Sequence, residues 1–487
     1  MILFRKLNDV YLNFEGDKAD LQTLSDYFTF KVPGANFTPA YRNKYWDGKI
    51  RLANLKDSTI YAGLVQDIAK FSKDLDIDVE FEGTKKDMPG IENNIDDKIL
   101  DGFLDALDLH SGGKKIQMRD YQIDAFKKGV RKQRMLCLSP TASGKSLIIY
   151  ALMRWWREIH DRKILIIVPT INLVTQLMSD FVDYSNDKFS DMHGIMGGKE
   201  KQTDARVVVS TWQSLYKMSA GYFAQFGSVI VDEVHHAQSK SIQNIMKKLV
   251  ICPDRVGMTG TIQEAKTHEL VLKGLFGNVE KMISTKELID KEQISDVKIQ
   301  LLRLNYSDND KKLVKDMNYQ DEISHIINHD KRQKFISKLA ADLPGNTLVV
   351  FSRLDHGKEL HRQIDEITDR EVHYIAGETD KDSREMTRQF AEKNDVTIVA
   401  SLGVFSTGVN IKKIDNIVFA SPSKSRIRNL QSIGRGLRKT EGKDSMRLFD
   451  IADDLQCENY TLNHLKERIN IYNEENFPYN IKQFDLK

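Results

Sequence analysis

The stretch that most restricts this chain is Ser139-Pro140-Thr141-Ala142-Ser143-Gly144-Lys145-Ser146. It follows the apolar run 135–138, which reads as a buried strand. It precedes 147–156, which reads as a helix with a broad apolar face. A strand, a tight loop and a helix in that order form the setting that a phosphate-binding loop requires. Such a loop, wrapped against a helix N-terminus, gathers several backbone N–H groups in one small space that suits a polyphosphate. Pro140, Thr141, Ala142, Ser143 and Gly144 would line it. Lys145 would add a point charge for the β- and γ-phosphates, and the Ser146 hydroxyl is placed to ligate Mg²⁺. One departure stands out: the pattern G-x-x-x-x-G-K-[ST] opens on glycine, and Ser139 occupies that position. A chance Gly-Lys-Ser at a helix start is the competing reading, and the rest of the chain has to choose.

At 487 residues the chain is too long for one core, so two to four domains are expected. The net charge of +2 excludes a polybasic tail protein, although a balanced total can hide a local basic groove. Cys137, Cys252 and Cys457 lie far apart with no C-x-x-C pair, which argues against a zinc site or a disulfide scaffold. Each reads as a small buried apolar residue in a reducing compartment. No apolar run reaches membrane-spanning length and the N-terminus does not read as a signal peptide. A cytoplasmic protein with no membrane partner is the expectation, in the host cell's cytoplasm if the source is viral.

Taken in order, residues 1–112 read as a small α+β domain. Its informative part is 28–51, where Lys31, Arg42, Lys44, Lys49 and Arg51 stand against one acid, Asp47. Phe28, Phe30, Phe37, Tyr41, Tyr45 and Trp46 are interleaved with them. The aromatics read as the domain's core, and Tyr45 to Lys49 as a hairpin turn. The basic residues are read as contacts to DNA phosphates, with a purely structural role as the alternative. His110-Ser111-Gly112-Gly113-Lys114-Lys115 reads as a flexible linker. Residues 113–295 alternate strands at 135–138, 164–168, 207–210, 229–232 and 256–259 with helical stretches, which implies a parallel sheet with helices on both faces. Residues 296–455 repeat the pattern, with strands at 347–351, 372–375, 397–400, 416–420 and 446–449 but no Gly-Lys-Ser. One nucleotide held between two similar domains follows from that asymmetry. Residues 456–487 read as a helical appendage with a short aromatic tail.

The chemistry gathers around Val229-Ile230-Val231-Asp232-Glu233-Val234-His235-His236. Two adjacent carboxylates at the end of a buried strand call for a cation. Asp232 can hold Mg²⁺, and Glu233 can orient and deprotonate an attacking water. His235 and His236 have no further ligands at metal spacing, so zinc is not expected there. In the second α/β domain, Arg435 and Arg438 lie three apart within 431–438, a spacing that puts both guanidinium groups on one helical face, where they suit a γ-phosphate. Lys424 to Lys439 carries six basic residues and no acid, so part of it is expected to face nucleic acid.

Together these residues resemble a superfamily-two helicase of the DExH type over 116–440. Arg119-Asp120-Tyr121-Gln122 resembles the adenine-reading motif, with Tyr121 and Gln122 at the base. Pro169-Thr170 resembles motif Ia, and Ser210-Thr211-Trp212 the strand-end motif that touches the nucleic-acid backbone. Thr259-Gly260-Thr261 is similar to the motif that couples hydrolysis to domain movement. Val350-Phe351-Ser352 resembles motif IV and Ser406-Thr407-Gly408-Val409-Asn410 motif V, with Asn410 where an aspartate is more usual. Gln431 to Arg438 resembles motif VI. The resemblance implies nucleotide contacts at Gly408, Asn410 and Gln431, nucleic-acid contacts at Thr170, Thr211, Trp212, Ser352 and Thr407, and coupling at Thr259 and Thr261. The blocks Phe28-Thr29-Phe30, Tyr45 to Arg51 and Gly63-Leu64-Val65 are similar to those of phage recombination and repair helicases. That implies an ATP- and Mg²⁺-dependent helicase or translocase on branched DNA: forks, four-way junctions and R-loops. Duplex and single-stranded DNA are expected partners, with RNA–DNA hybrids as a further candidate and a monomer or weak oligomer as the working form. Its rivals are an RNA helicase, a restriction-system motor and a DNA-annealing protein with a vestigial ATPase.

Overall fold

The computed structural model describes residues 1–83, 88–197, 200–234, 240–260, 266–407, 411, 413–421, 433–434, 437, 445–456 and 459–486. The chain divides into two compact units, Met1–Ser139 with Gly144–Met282, and Pro140–Ser143 with Ile283–Lys487.

The first unit opens with strands β1 (Ile2–Lys6) and β2 (Tyr11–Gly16), then a short ribbon of β3 (Thr29–Lys31) and β4 (Lys49–Arg51). β5 (Ala53–Asn54), β6 (Thr59–Tyr61) and β7 (Val79–Phe81) follow. The main sheet runs β5-β6-β2-β1-β7, with β7 parallel to β1 and the other pairs antiparallel. Alternation along β1 and β2 sends Ile2, Phe4, Leu12 and Phe14 inward, all 3% exposed or less. This core continues without a break into the larger sheet beside it, through Leu136, Leu165, Val229 and Phe276. The join is backbone-tight. A Cβ on Gly63 would stand 2.1 Å from the Lys273 carbonyl oxygen, which explains glycine at that position. Lys273 also reaches Asp67 at 3.3 Å.

A hairpin of β8 (His110–Ser111) and β9 (Lys114–Lys115) then leads into seven parallel strands. These are β10 (Arg134–Leu138), β11 (Lys163–Val168), β12 (Met192–Ile195), β13 (Val207–Thr211), β14 (Phe226–Val231), β15 (Asp254–Thr259) and β16 (Val279–Lys281). Their order is β12-β13-β11-β14-β15-β10-β16. The middle strands are buried on both faces, so they read as unbroken apolar runs such as Ile164 to Val168. Helices cover the faces. Lys145–Ile159, for example, buries nine residues from Leu147 to Trp156.

The second unit repeats the layout with β17 (Asp296–Asn305), β18 (Thr347–Phe351), β19 (Val372–Ile375), β20 (Thr397–Ser401), β21 (Asn416–Phe419), β22 (Ser445–Asp454) and β23 (Tyr479–Asp485). These parallel strands are ordered β19-β20-β18-β21-β22-β17-β23. Buried ion pairs pin this sheet. Arg332 Nε donates to Asp453 at 2.7 Å with both side chains fully enclosed, and the Tyr306 hydroxyl donates to the same carboxylate at 2.8 Å. Arg468 Nε meets Asp450 at 2.8 Å, where the Tyr472 hydroxyl also donates at 2.9 Å.

Four sequence expectations change on this description. Residues 110–115 form a hairpin, not a flexible linker: Gly112 and Gly113 take φ of 57° and 73°, and the Gly112 N–H donates to the Asp183 carboxylate at 2.9 Å. Helix Asp97–Ala106 places Leu100 in the core of the first seven-stranded sheet, so by packing it goes with that domain. Tyr45 to Lys49 is not a hairpin turn, since β3 and β4 are bridged by the whole of 32–48, including helix Pro39–Arg42. Residues 456–487 are no appendage either: helix Tyr460–Glu474 carries Arg468 into the core, and β23 completes the sheet beside β17.

Candidate nucleotide-binding site

Parallel strands put all their carboxyl ends on one edge, where open α/β sheets bind ligands. In the first seven-stranded sheet that edge carries the loop after β10, Thr170 after β11, Thr211 at the end of β13, Asp232 and Glu233 after β14, and Thr259 ending β15.

The loop is held from both sides. The Ser139 N–H donates to the Thr259 carbonyl at 2.9 Å, tying the strand exit to the coupling motif. The Ser143 hydroxyl donates to the Pro140 carbonyl at 2.7 Å and closes the turn. Ala142 at φ 69° and Gly144 at φ 77° are left-handed, whereas Ser139 is not. The missing first glycine therefore costs the loop no backbone freedom. A Cβ on Gly144 would stand 2.5 Å from Gln122 Nε2, so this glycine serves close approach as well as conformation. Gln122 is 4% exposed, and its Oε1 accepts from the Arg119 N–H at 2.9 Å at the start of helix Asp120–Lys132. The Gln122 Nε2 donates to the Gly144 carbonyl at 3.4 Å. The residue read from sequence as a base reader thus also braces the loop. Tyr121, 5% exposed, accepts from Arg119 Nη1 at 3.0 Å through its hydroxyl.

Lys145 is the electrostatic centre. Its ammonium lies 3.5 Å from Glu233 Oε1 and donates to the Ser139 carbonyl at 3.4 Å. Burial alone would push its pKa down, but the carboxylates of Glu233 and Asp232 outweigh it and hold the pKa above the ordinary lysine value. The Glu233 N–H donates to Asp232 Oδ1 at 2.9 Å, and Glu233 adopts φ 50°, a strained state for a non-glycine residue. That turn holds two carboxylates together beside one ammonium. Ser146 Oγ is 2.7 Å from the Tyr184 hydroxyl, a partner that nothing in the sequence flagged. Burial raises the pKa of Tyr184, which keeps it a neutral hydroxyl. A hydroxyl and a carboxylate are hard oxygen ligands, a donor set that suits Mg²⁺.

Along the same edge, Thr170 caps helix Ile171–Tyr184 by accepting from the Leu173 N–H at 3.4 Å. Thr211 is 3% exposed, with Oγ1 3.1 Å from Ser214 Oγ, and Trp212 packs half-buried against the core. In the second unit Ser352 is exposed at the end of β18, its N–H donating to Ser421 Oγ at 3.1 Å. His235, His236, Thr261, Gly408, Asn410, Gln431, Arg435, Arg438 and the Thr407 side chain lie outside the described residues.

In the N-terminal domain Arg42, Lys44, Lys49 and Arg51 are exposed. Arg51 pairs with Asp47; hydrogen bonding to Arg51 and to the Lys49 N–H holds that carboxyl down at about 2. The aromatics divide, contrary to the reading of all of them as core. Phe28 is fully buried, but Phe37 is 71% and Tyr45 86% exposed. Trp46 is half-buried, with its indole N–H donating to the Lys49 carbonyl at 2.8 Å. The loop 32–48 stands off a two-stranded ribbon too small to cover them.

Comparison with known proteins fits this geometry. The family described as DNA helicase UvsW, N-terminal, matches residues 2–82; the type III restriction enzyme res subunit family matches 115–264; the helicase conserved C-terminal domain family matches 330–440. The ATP-dependent DNA helicase uvsW of Enterobacteria phage T4 is 34% identical, with 98% of each chain covered. The DNA 3'-5' translocase XPB2 of Sulfurisphaera tokodaii is 23% identical over 71% of this chain and 84% of that one. The crystal structure of T4 UvsW superposes with a TM-score of 0.54 at 33% identity, covering all of both chains. At 18% identity, a fragment of an HsdR-type restriction subunit from Vibrio vulnificus shares the fold, with a TM-score of 0.59 over 80% of this chain and 72% of that one. The tandem RecA-like sheets, the N-terminal domain and the identity along the whole length together place this chain in the UvsW family of DNA helicases.

Proposed function

We propose that the chain is an ATP-dependent helicase or translocase that unwinds or branch-migrates forked and four-way DNA and R-loops, in recombination, repair and replication restart. The observation that carries the reading is the Lys145 ammonium, gathered with Asp232 and Glu233 at the strand ends of a parallel sheet beside a left-handed loop. The polyphosphate of ATP would replace the carboxylates as the partner of Lys145, and the amides of 140–146 would cradle it. Ser146 and Asp232 would hold Mg²⁺, which supplies charge neutralisation on the phosphates when bound. Released from Lys145, Glu233 can take the proton of the attacking water. Arg435 and Arg438 are assigned the γ-phosphate, with Gln431, Gly408 and Asn410 on the nucleotide. Thr259 lies one hydrogen bond from Ser139, which supports a part in passing the loop's state to β15; Thr261 is assigned to the same path.

Nucleic acid is assigned to Thr170, Thr211, Trp212, Ser352 and Thr407 on the motor domains and to Arg42, Lys44, Lys49 and Arg51 at the N-terminus. Exposed Phe37 and Tyr45 join that N-terminal set, because aromatics beside phosphate-binding cations can stack on bases. ATP turnover measured with single-stranded DNA, duplex, fork, four-way junction and RNA tests the assignment. Greatest stimulation by fork or junction is expected. Stimulation by RNA alone would replace this reading with an RNA helicase.

A further inference from the structure

A phenol inside a protein needs a hydrogen-bond partner, and the choice of partner fixes where its hydroxyl points. Tyr184 ends helix Ile171–Tyr184 with its hydroxyl 2.7 Å from Ser146 Oγ. Its neighbour Tyr150 uses its own hydroxyl elsewhere, accepting from Arg154 Nη1 at 2.7 Å. The Tyr184 and Tyr150 ring centroids are 5.6 Å apart, edge to face at 63°, and Tyr150 meets Phe181 at 5.4 Å. Ser146 and Tyr150, four apart, thus lie on one face of helix Lys145–Ile159 and both meet helix Ile171–Tyr184 there. The backbone under Tyr184 is held on both sides. The Asp183 carboxylate accepts from the Gly112 N–H at 2.9 Å, which ties the helix end to the hairpin 110–115. Ser185 Oγ donates to the Val182 carbonyl at 2.8 Å and accepts from the Phe189 N–H at 2.9 Å, which closes the helix. A ring packed among aromatics on a tied backbone presents its hydroxyl at one place.

A serine in the first turn of a helix has other choices, since its short side chain can turn back to the backbone. Here Oγ is turned to Tyr184. A hydroxyl that ligates a cation does so through an oxygen lone pair, so its proton points away from the ion and calls for an acceptor there. The Tyr184 oxygen is within hydrogen-bond reach of Ser146 Oγ and can accept that proton's hydrogen bond. We infer that Tyr184 is a positioning residue for the metal: its hydroxyl orients Ser146 Oγ as a Mg²⁺ ligand while standing outside the ligand set. The inference rests on the proposed reading of Ser146 as a Mg²⁺ ligand. Partners that touch a ligand but not the ion typically change metal affinity roughly 10–100-fold when removed. The competing reading is that Ser146 only satisfies a buried phenol, a service to the fold alone. The two differ in what they do to the Mg²⁺ requirement.

The test follows binding of a fluorescent non-hydrolysable ATP analogue to the full chain, titrated with Mg²⁺ and repeated in EDTA, with ATP turnover against Mg²⁺ and Tm alongside. Tyr184→Phe removes one oxygen and keeps the ring against Tyr150. The Mg²⁺ concentration for half-maximal analogue binding should rise about 10-fold, and that for turnover should rise with it. Affinity in EDTA and kcat at saturating Mg²⁺ should stay near wild type. Tyr150→Phe removes the neighbouring hydroxyl and should leave the Mg²⁺ response unchanged. Ser146→Ala separates this inference from the reading beneath it. It should raise the Mg²⁺ requirement at least as much, and Tyr184→Phe added to it should change nothing further. No rise in Ser146→Ala would overturn the ligand reading and this inference with it. A rise in Ser146→Ala but none in Tyr184→Phe, whether or not Tm falls, would overturn the inference alone and leave Tyr184 a packing residue. Additive losses in the double variant would also overturn it, since Tyr184 would then act by a route other than Ser146.

Discussion

At the strand ends of the first motor domain Lys145 faces Glu233 across 3.5 Å, with 12% and 17% of the two side chains still exposed. In the core of the second, Arg332 meets Asp453 at 2.7 Å with neither side chain exposed, and Tyr306 completes the carboxylate's hydrogen bonding. The two sheets have the same seven-stranded parallel layout, yet they place their charges in opposite conditions. A loose, partly wetted pair can exchange its carboxylate for a phosphate. A dry pair with neither side chain exposed leaves a ligand no way in and serves the fold alone. Strain follows the same division: Glu233, the acid of the exchangeable pair, is itself left-handed at φ 50°, and functional sites are the usual place for stored backbone strain.

The sharpest way to break this contrast is at Glu233. Glu233→Gln keeps the shape and removes the base, so ATP should still bind while turnover falls roughly 10²–10⁴-fold. A variant that no longer binds ATP would make Glu233 a structural residue like Asp453. The converse change, Asp453→Ala, strands a buried guanidinium and should destabilise the second unit by about 3–5 kcal/mol in urea unfolding, with nucleotide affinity untouched.

A smaller effect separates the units by pH. Burial, with the Arg332 charge adding to it, holds His356 at a pKa of about 3. The unfolded chain protonates this imidazole near 6.5 and the folded one does not, so stability falls as pH drops below 6.5, down to about 3. By pH 5 the loss is about 2 kcal/mol relative to pH 7, and His356→Gln should flatten that part of the unfolding profile. The mildest change is at the N-terminus. Replacing Arg42, Lys44, Lys49 and Arg51 together should cut the salt slope of junction binding by about 0.9 for each DNA phosphate no longer neutralised, equally for every DNA sequence. An unchanged slope would leave the ribbon 29–51 as a spacer.

Local chemistry was legible in the sequence and long-range pairing was not. Both ends of strand 347–351 were readable, because a doubly buried parallel strand is a continuous apolar run. Short or polar edge strands escaped: β12, β16 and β23 are too brief or too hydrophilic to stand out, and 479–485 passed for a tail. At the site, 139–146 and 232–233 are contiguous stretches whose residue types announce their chemistry. Tyr184 answers Ser146 from 38 residues away, and Arg134 answers Asp9 across 125, distances at which no local pattern operates. Composition also treats Phe28 and Phe37 alike, although one is fully buried and the other 71% exposed, because exposure depends on what the ribbon can cover.

The most direct test of the motor assignment is ATP turnover of the full chain with and without four-way-junction DNA, wild type beside Lys145→Ala, with folding of both checked by circular dichroism. The wild type should hydrolyse ATP and accelerate on adding the junction, while the folded Lys145→Ala chain stays at background in both conditions. Near-normal, DNA-stimulated turnover in folded Lys145→Ala would contradict the placement of the nucleotide at the end of β10.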